Sequence, residues 1–221
     1  VPVVFIGETS YLDVPPRFGK WNYRVTLANL FGNEGLSETK QIEFKSAGAP
    51  VPALDLDLTQ APANITTEGE VEFTTAGVKL HAGNLVLPPD ERWNPGKEFT
   101  LQFEFRADSV SEMPVLLSHG MWQGDGWFIQ ILGGRLMIKF PHGDVEGPVI
   151  IPGSWYKVSI VYDGYRFNLT VNDTKIPQRA INSAGTDSKR QLIIGQYEHR
   201  SPQYVFKGTL KNLKIYNDII E

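Results

Sequence analysis

The sequence predicts an all-β protein: an antiparallel sandwich with a small second β unit at its amino-terminal end. Three observations carry that expectation. Apolar and polar residues alternate with a period of two along most apolar segments, as half-buried strands require. Short turns of Gly, Asn and Asp stand between those segments at hairpin spacing. No apolar stripe of helical period runs for about eleven residues or more.

Composition narrows the function classes. A chain of 221 residues holds one large domain, or one domain with a small neighbour. With 41% hydrophobic and 21% charged residues it is ordinary globular material. A net charge of -4 gives no electrostatic case for nucleic acid, whose binders cluster Lys and Arg. No apolar run is long enough to span a bilayer, and no signal-peptide pattern opens the chain, so membrane insertion is not expected. The absence of Cys excludes a disulfide framework and thiolate metal sites. The four His show no metal-ligand spacing, and no Ser-His-Asp order with a nucleophile elbow occurs. The start at Val1 rather than Met suggests an excised or processed piece of something longer.

Taken in order, the first strand places Trp21, Tyr23, Val25 and Leu27 on one face and Asn22, Arg24 and Thr26 on the other. A Gly32-Asn33 turn and a closing strand near residues 41–44 follow. With residues 9–13 (TSYLD) and 16–19 (PRFG), this segment resembles the second half of a fibronectin type III domain, over 1–47. Trp21 stands where that family places its corner tyrosine. The resemblance implies missing first strands, so the open edge and apolar face need a cover. Either the large domain supplies it, or the missing half arrives as another chain. Residues 48–53, small and Pro-bearing, read as a linker.

The large sandwich is expected over 54–221. Leu101, Phe103 and Phe105 alternate with Gln102, Glu104 and Arg106. Gly133-Gly134, Asp163-Gly164 and Asn172-Asp173 each read as a tight hairpin turn. Trp127 and Trp155 begin alternating strands and are expected in the core. The pieces 99–105 (FTLQFEF), 126–131 (GWFIQI), 153–158 (GSWYKV) and 161–164 (VYDG) come in order. They are followed by 169–173 (LTVND), 192–195 (LIIG) and 206–216 (FKGTLKNLKIY). In that order they resemble a laminin-G-like domain of the concanavalin A-like lectin/glucanase superfamily. The resemblance implies a jelly-roll sandwich that serves mostly as a sugar- or protein-binding platform.

Glucanases of that superfamily use acidic residues at alternate positions of one strand, because two carboxylates must flank a glycosidic bond. The nearest match is Glu68-Gly-Glu70-Val-Glu72, whose period of two puts three carboxylates on one face. Its place in the pattern is wrong for the catalytic strand, and charge on an early edge strand also blocks edge-to-edge pairing. No enzyme is expected in this chain, although the parent protein can be a glycoside hydrolase. The pattern requires no cofactor. Calcium is the metal that the resemblance admits, but Lys211-Asn212 follow the Phe206-Lys-Gly208-Thr-Leu210 element where an acid is usual. Asp55 and Asp57 remain as oxygen ligands, or as plain surface acids beside a turn.

Sugar rings stack their C–H faces on exposed aromatics, while their hydroxyls seek amides, carboxylates and Arg. Three loops offer such groups. Residues 118–126 (SHGMWQGDG) supply Trp122, Gln123 and Asp125. Residues 141–146 (PHGDVE) supply His142 and Asp144, and 196–204 (QYEHRSPQY) supply Tyr197, His199 and Arg200. Each group has a structural alternative: Trp122 caps the core, His142 and Asp144 build a turn, and the third set packs on the amino-terminal unit. The expected function is a non-catalytic carbohydrate-binding module of a larger secreted or cell-surface protein, with a poly- or oligosaccharide as partner. The alternative is a structural or adhesion module binding protein in a bacterial surface assembly or virion appendage.

Overall fold

The computed structural model describes residues 19–28, 34–44, 50–96, 98–141, 143–176 and 186–220. The chain divides into two units, Val1–Ala49 and Pro50–Glu221. In the first, strands β1 (Gly19–Ala28) and β2 (Glu34–Phe44) form an antiparallel hairpin, with Trp21 opposite Ile42 and Tyr23 opposite Lys40. The closing strand therefore begins well before residue 41. Tyr23 is half-buried between exposed Asn22 and Arg24, as alternation requires. The side chains of Trp21, Val25 and Leu27, and the segments at 9–18, lie outside the described residues.

The second unit contains fifteen described strands. They are β3 (Leu54–Leu56), β4 (Thr66–Glu68), β5 (Val71–Thr74), β6 (Gly77–Leu80) and β7 (Asn84–Leu87). Next come β8 (Phe99–Ala107), β9 (Val115–His119), β10 (Trp127–Leu132), β11 (Arg135–Phe140) and β12 (Gly143–Val149). The last are β13 (Trp155–Tyr162), β14 (Phe167–Val171), β15 (Thr174–Ile176), β16 (Leu192–Ile194) and β17 (Gly208–Tyr216). One sheet runs β12-β11-β10-β9-β16-β7-β4, and the other β15-β14-β13-β8-β17-β6-β5. In the second sheet β17 pairs β8 on one side, and β6 and then β3 on the other. Every pairing is antiparallel, so the unit is an all-β sandwich.

The two inner faces share one core. Leu101, Phe103 and Phe105 of β8 are buried, while Gln102, Glu104 and Arg106 are half-buried on the outer side. Phe140 of one sheet stacks on Phe167 of the other with ring centroids 4.3 Å apart, and Trp127 meets Phe99 edge-on at 6.1 Å. Each such pair adds about 0.5–1.5 kcal/mol beyond the apolar area it buries. The Trp127 indole N–H donates to the Trp93 carbonyl at 2.9 Å, so its polar edge is satisfied inside the core.

Two of the expected tight turns form as read. Gly133 and Gly134 take φ of 57° and 77° between β10 and β11, the left-handed pair that a two-residue hairpin needs. Asn172 and Asp173, at 48° and 63°, do the same between β14 and β15. The third is longer: β13 and β14 are joined by 163–166, with Asp163 Oδ1 accepting from the amides of Tyr165 (3.0 Å) and Arg166 (2.7 Å). An Asx cap thus replaces the two-residue turn.

Three further expectations are corrected. Glu68, Glu70 and Glu72 do not share a face: β4 ends at Glu68 in one sheet, and β5, holding Glu72, belongs to the other. Gly69 turns the chain between them at φ 70°, which the period of two does not reveal. Trp155 is half-buried on the outer side of its sheet, because Tyr156, not Trp155, takes the inward phase of β13. Asp144 and Glu146 lie on a strand rather than a loop, since β12 pairs with β11 from Gly143 onward.

Candidate functional site

The outer face of the seven-stranded sheet positions the site. One row of cross-strand partners runs Thr66, Val86, Ile193, Ser118, Phe128, Lys139, Asp144. From Val86 to Lys139 every member is buried although it points away from the core. Two of the loops expected to carry ligand groups reach this row, through Tyr197 on Phe128 and Trp122 beside Lys139. Ser118 and His119 are not part of those loops: both are buried in β9, and His119 packs between Trp93 and Trp127 at 5.7 and 6.2 Å. Burial pushes the His119 imidazole below its ordinary value, so it is held neutral.

Among the Trp and Tyr side chains of these loops Trp122 is the exposed one, with 51% of its surface open to solvent. Its loop is closed by glycines: a Cβ on Gly126 would stand 1.9 Å from the His119 carbonyl oxygen, and one on Gly120 2.7 Å from Gly126 Cα. The Trp122 amide donates to the Tyr197 hydroxyl at 2.7 Å. Tyr197 itself is only 5% exposed and packs on Phe128 at 4.9 Å and Tyr204 at 5.1 Å. It therefore lies beneath the Trp122 loop with little surface open to solvent, and burial raises its phenol above the ordinary value. Lys139, buried beside the sheet, sits 5.8 Å from the Trp122 ring centroid and is bound by Asp144. A cation at that distance adds about 0.5–1 kcal/mol toward fixing the ring.

The other groups surround this platform in charge-compensated sets. Asp125 Oδ1 accepts the Met121 amide at 3.0 Å, and its Oδ2 pairs with Arg190 at 3.2 Å. Arg190 reaches Glu198 as well, at 3.3 Å. Burial pushes the Asp125 carboxyl up, but the backbone amides and the Arg190 guanidinium outweigh it and hold it below the usual carboxylate range. Arg200, at φ 56°, pairs with Glu68 at 2.7 Å, and Glu68 also accepts from Asn84 at 2.9 Å. Gln123 (φ 55°) and His199 are exposed, the latter 5.6 Å from the Tyr197 ring. His142 lies outside the described residues.

The structure thus brings Trp122, Asp125, Asp144 and Tyr197 together and adds Lys139, Arg190 and Glu198. Lys139 occupies an outward position of an alternating strand, which reads as solvated; only the fold lays Trp122 over it. Arg190 precedes β16 in a segment with no motif. Glu198 was within reach of the sequence, being inside the third aromatic loop. Of the acids weighed for calcium, Asp55 is paired with Lys214 at 3.0 Å and Asp57 accepts from Thr59 at 2.8 Å. Lys211 and Asn212 both hold Glu104, at 3.1 and 2.8 Å. No group of three metal-ligating His, Asp or Glu side chains stands together among the described residues.

Two antiparallel sheets over one shared core, with an exposed indole on a loop of one of them, make a sandwich of the lectin-like fold class. Residues 80–221 match the model of the concanavalin A-like lectin/glucanases superfamily, and the chain belongs to that family. A comparison with curated protein sequences gives no match. Among solved structures, the receptor-binding domain of botulinum neurotoxin mosaic serotype C/D is similar, with a TM-score of 0.61, 10% identity and 77% of this chain covered. Botulinum neurotoxin type C, whose cell entry is dependent upon interaction with two ganglioside molecules, gives 0.58, 12% and 77%. A mutant Trypanosoma rangeli sialidase displaying trans-sialidase activity gives 0.58, 13% and 76%. The chain spans 48% of either toxin chain and 31% of the sialidase. At these identities the likeness is one of fold.

Proposed function

We propose that this chain is a non-catalytic carbohydrate-binding module of a larger secreted or cell-surface protein, and that Trp122 is its stacking platform. The observation that carries the reading is the half-exposed indole itself, with its backbone amide held by the Tyr197 hydroxyl and its ring facing the Lys139 ammonium. A rigid aromatic with an open face suits the C–H surface of a pyranose, and its ordering cost is met before ligand arrives. Three cations around it, Lys139, Arg190 and Arg200, meet four carboxylates, Asp144, Asp125, Glu198 and Glu68, for a net of −1. That balance favours an uncharged glycan, with Asp125, Asp144 and Gln123 receiving or offering hydrogen bonds to hydroxyls. Ganglioside recognition by a structural neighbour supports carbohydrate as the ligand class. The amino-terminal hairpin serves in this reading as a fibronectin-like spacer.

The test is migration of the whole chain in native gels cast with neutral polysaccharides, such as mannans, xylans and β-glucans, with Trp122→Ala alongside. Retardation by a neutral polymer that disappears in Trp122→Ala supports the module. No retardation by any neutral polymer refutes Trp122 as the platform of a neutral-glycan module. One observation favours the protein-binding reading: Leu132 and Val149 flank Arg135 across three strands and are 37% and 55% exposed, with Ile151 at 62% close by in sequence. An apolar patch of this kind suits a protein partner, and becomes the leading assignment if the gels are negative.

A further inference from the structure

We propose that the outer face of the eight-stranded sheet carries a separate binding surface, centred on Trp155, that takes acidic polysaccharide. The inference does not depend on the Trp122 reading, because the two aromatics lie on different sheets. Trp155 stands opposite Arg106, and Lys157 opposite Glu104, which in turn stands opposite Lys211. The Arg106 guanidinium lies 5.6 Å and the Lys211 ammonium 4.9 Å from the Trp155 ring centroid. An indole that was expected in the core is thus displayed outside it, half-buried, and held by two cations on neighbouring strands.

Charge distinguishes this surface from the Trp122 site. Three cations, Arg106, Lys157 and Lys211, share a single carboxylate, Glu104, which Lys211 holds at 3.1 Å and Asn212 at 2.8 Å. Among the described residues neither Arg106 nor Lys157 pairs with a carboxylate, and the nearby Asp108 is taken by Lys79. The local balance is therefore three against one, a net of +2, on a chain whose formal charge is -4. Lys157 and Lys211 flank β8 from the strands on either side, so they stand two strand spacings apart, about 10 Å. A row of cations at that spacing beside a flat aromatic fits an extended polymer bearing carboxylate or sulfate on successive sugars. A bilayer fits less well, since the indole lies within the sheet face instead of protruding from it. The stereochemistry of the acid group is left to the experiment: uronate and sulfate ask the same of these side chains.

The test uses the whole chain in low-salt native gels containing polygalacturonate, as the carboxylate polymer, or dextran sulfate, as the sulfate polymer. The wild type is expected to be retarded by at least one of them, with retardation fading at about 0.3 M salt as the charges are screened. Trp155→Ala, and the pair Lys157→Gln with Lys211→Gln, are expected to weaken binding about tenfold each. Trp122→Ala is expected to leave it unchanged. Lys157→Gln alone changes one exposed, unpaired side chain, and so remains informative if Trp155→Ala fails to fold. The proposal is overturned if neither acidic polymer retards the chain, or if retardation survives these substitutions. It is equally overturned if Trp122→Ala abolishes the effect, or if only phosphatidylserine vesicles are bound. Failure on neutral polymers with success here would remove the Trp122 site and leave this one standing.

Discussion

Tyr197→Phe isolates one atom of the site, the phenol oxygen beneath the Trp122 loop. The substitution removes the hydroxyl that accepts the Trp122 amide at 2.7 Å and leaves the ring contacts with Phe128 and Tyr204 in place. A single hydrogen bond of this kind is worth about 1 kcal/mol net, and an amide left without a partner at a part-buried position raises the loss toward 2 kcal/mol. For a unit of this size, 1 kcal/mol moves Tm by about 2–4 °C. The expected loss is about 1.5 kcal/mol, a fall of roughly 3–6 °C, read by differential scanning calorimetry. Loosening of the Trp122 loop should also weaken retention on a bound neutral polysaccharide several-fold, short of the complete loss in Trp122→Ala. A variant with unchanged Tm and unchanged retention would refute the claim that Tyr197 holds the platform. A drop in Tm with normal retention would show that Tyr197 matters to the fold but not to the site.

Two further outcomes follow from the same region. Burial holds the His119 pKa below its ordinary value of about 6.5, so at intermediate pH the unfolded chain binds a proton that the folded chain refuses. Stability is then full above about pH 6.5 and falls as pH drops toward the folded value, by up to about 1.4 kcal/mol per unit; His119→Leu should flatten that slope in urea titrations between about pH 6.5 and 5, and an unchanged slope would assign it elsewhere. Gly126→Ala places a methyl 1.9 Å from the His119 carbonyl oxygen and 2.4 Å from Gly120 Cα, both backbone atoms that cannot yield. It should destabilise the unit by about 3 kcal/mol and abolish retention by displacing the loop; wild-type Tm in this variant would disprove the close approach.

The class of fold was legible in the sequence, because alternation is local. Leu101, Phe103 and Phe105 declare an inner face without reference to any other strand, and Gly133-Gly134 and Asn172-Asp173 declare their hairpins by the φ values that only such residues adopt readily. The sequence also named the loops from which Trp122, Asp125 and Tyr197 come, but read Asp144, which lies on β12, as part of a third. What it could not give was phase and partnership. Trp155 and Tyr156 are both apolar enough to be buried, and which one faced inward was settled by pairing with β8, where Tyr156 opposes Phe105. Glu68 and Glu72 looked like one face because a turn at a single glycine leaves the two-residue period intact in sequence while sending the strands to different sheets. Tyr197 and Trp122 are 75 residues apart, and Lys139 meets Trp122 only because β11 lies next to β10. Contacts of that range arise from how the sheets are assembled, so it took the assembled sandwich to show that Trp122 is exposed, that Tyr197 is buried beneath its loop, and which cations are already held by carboxylates.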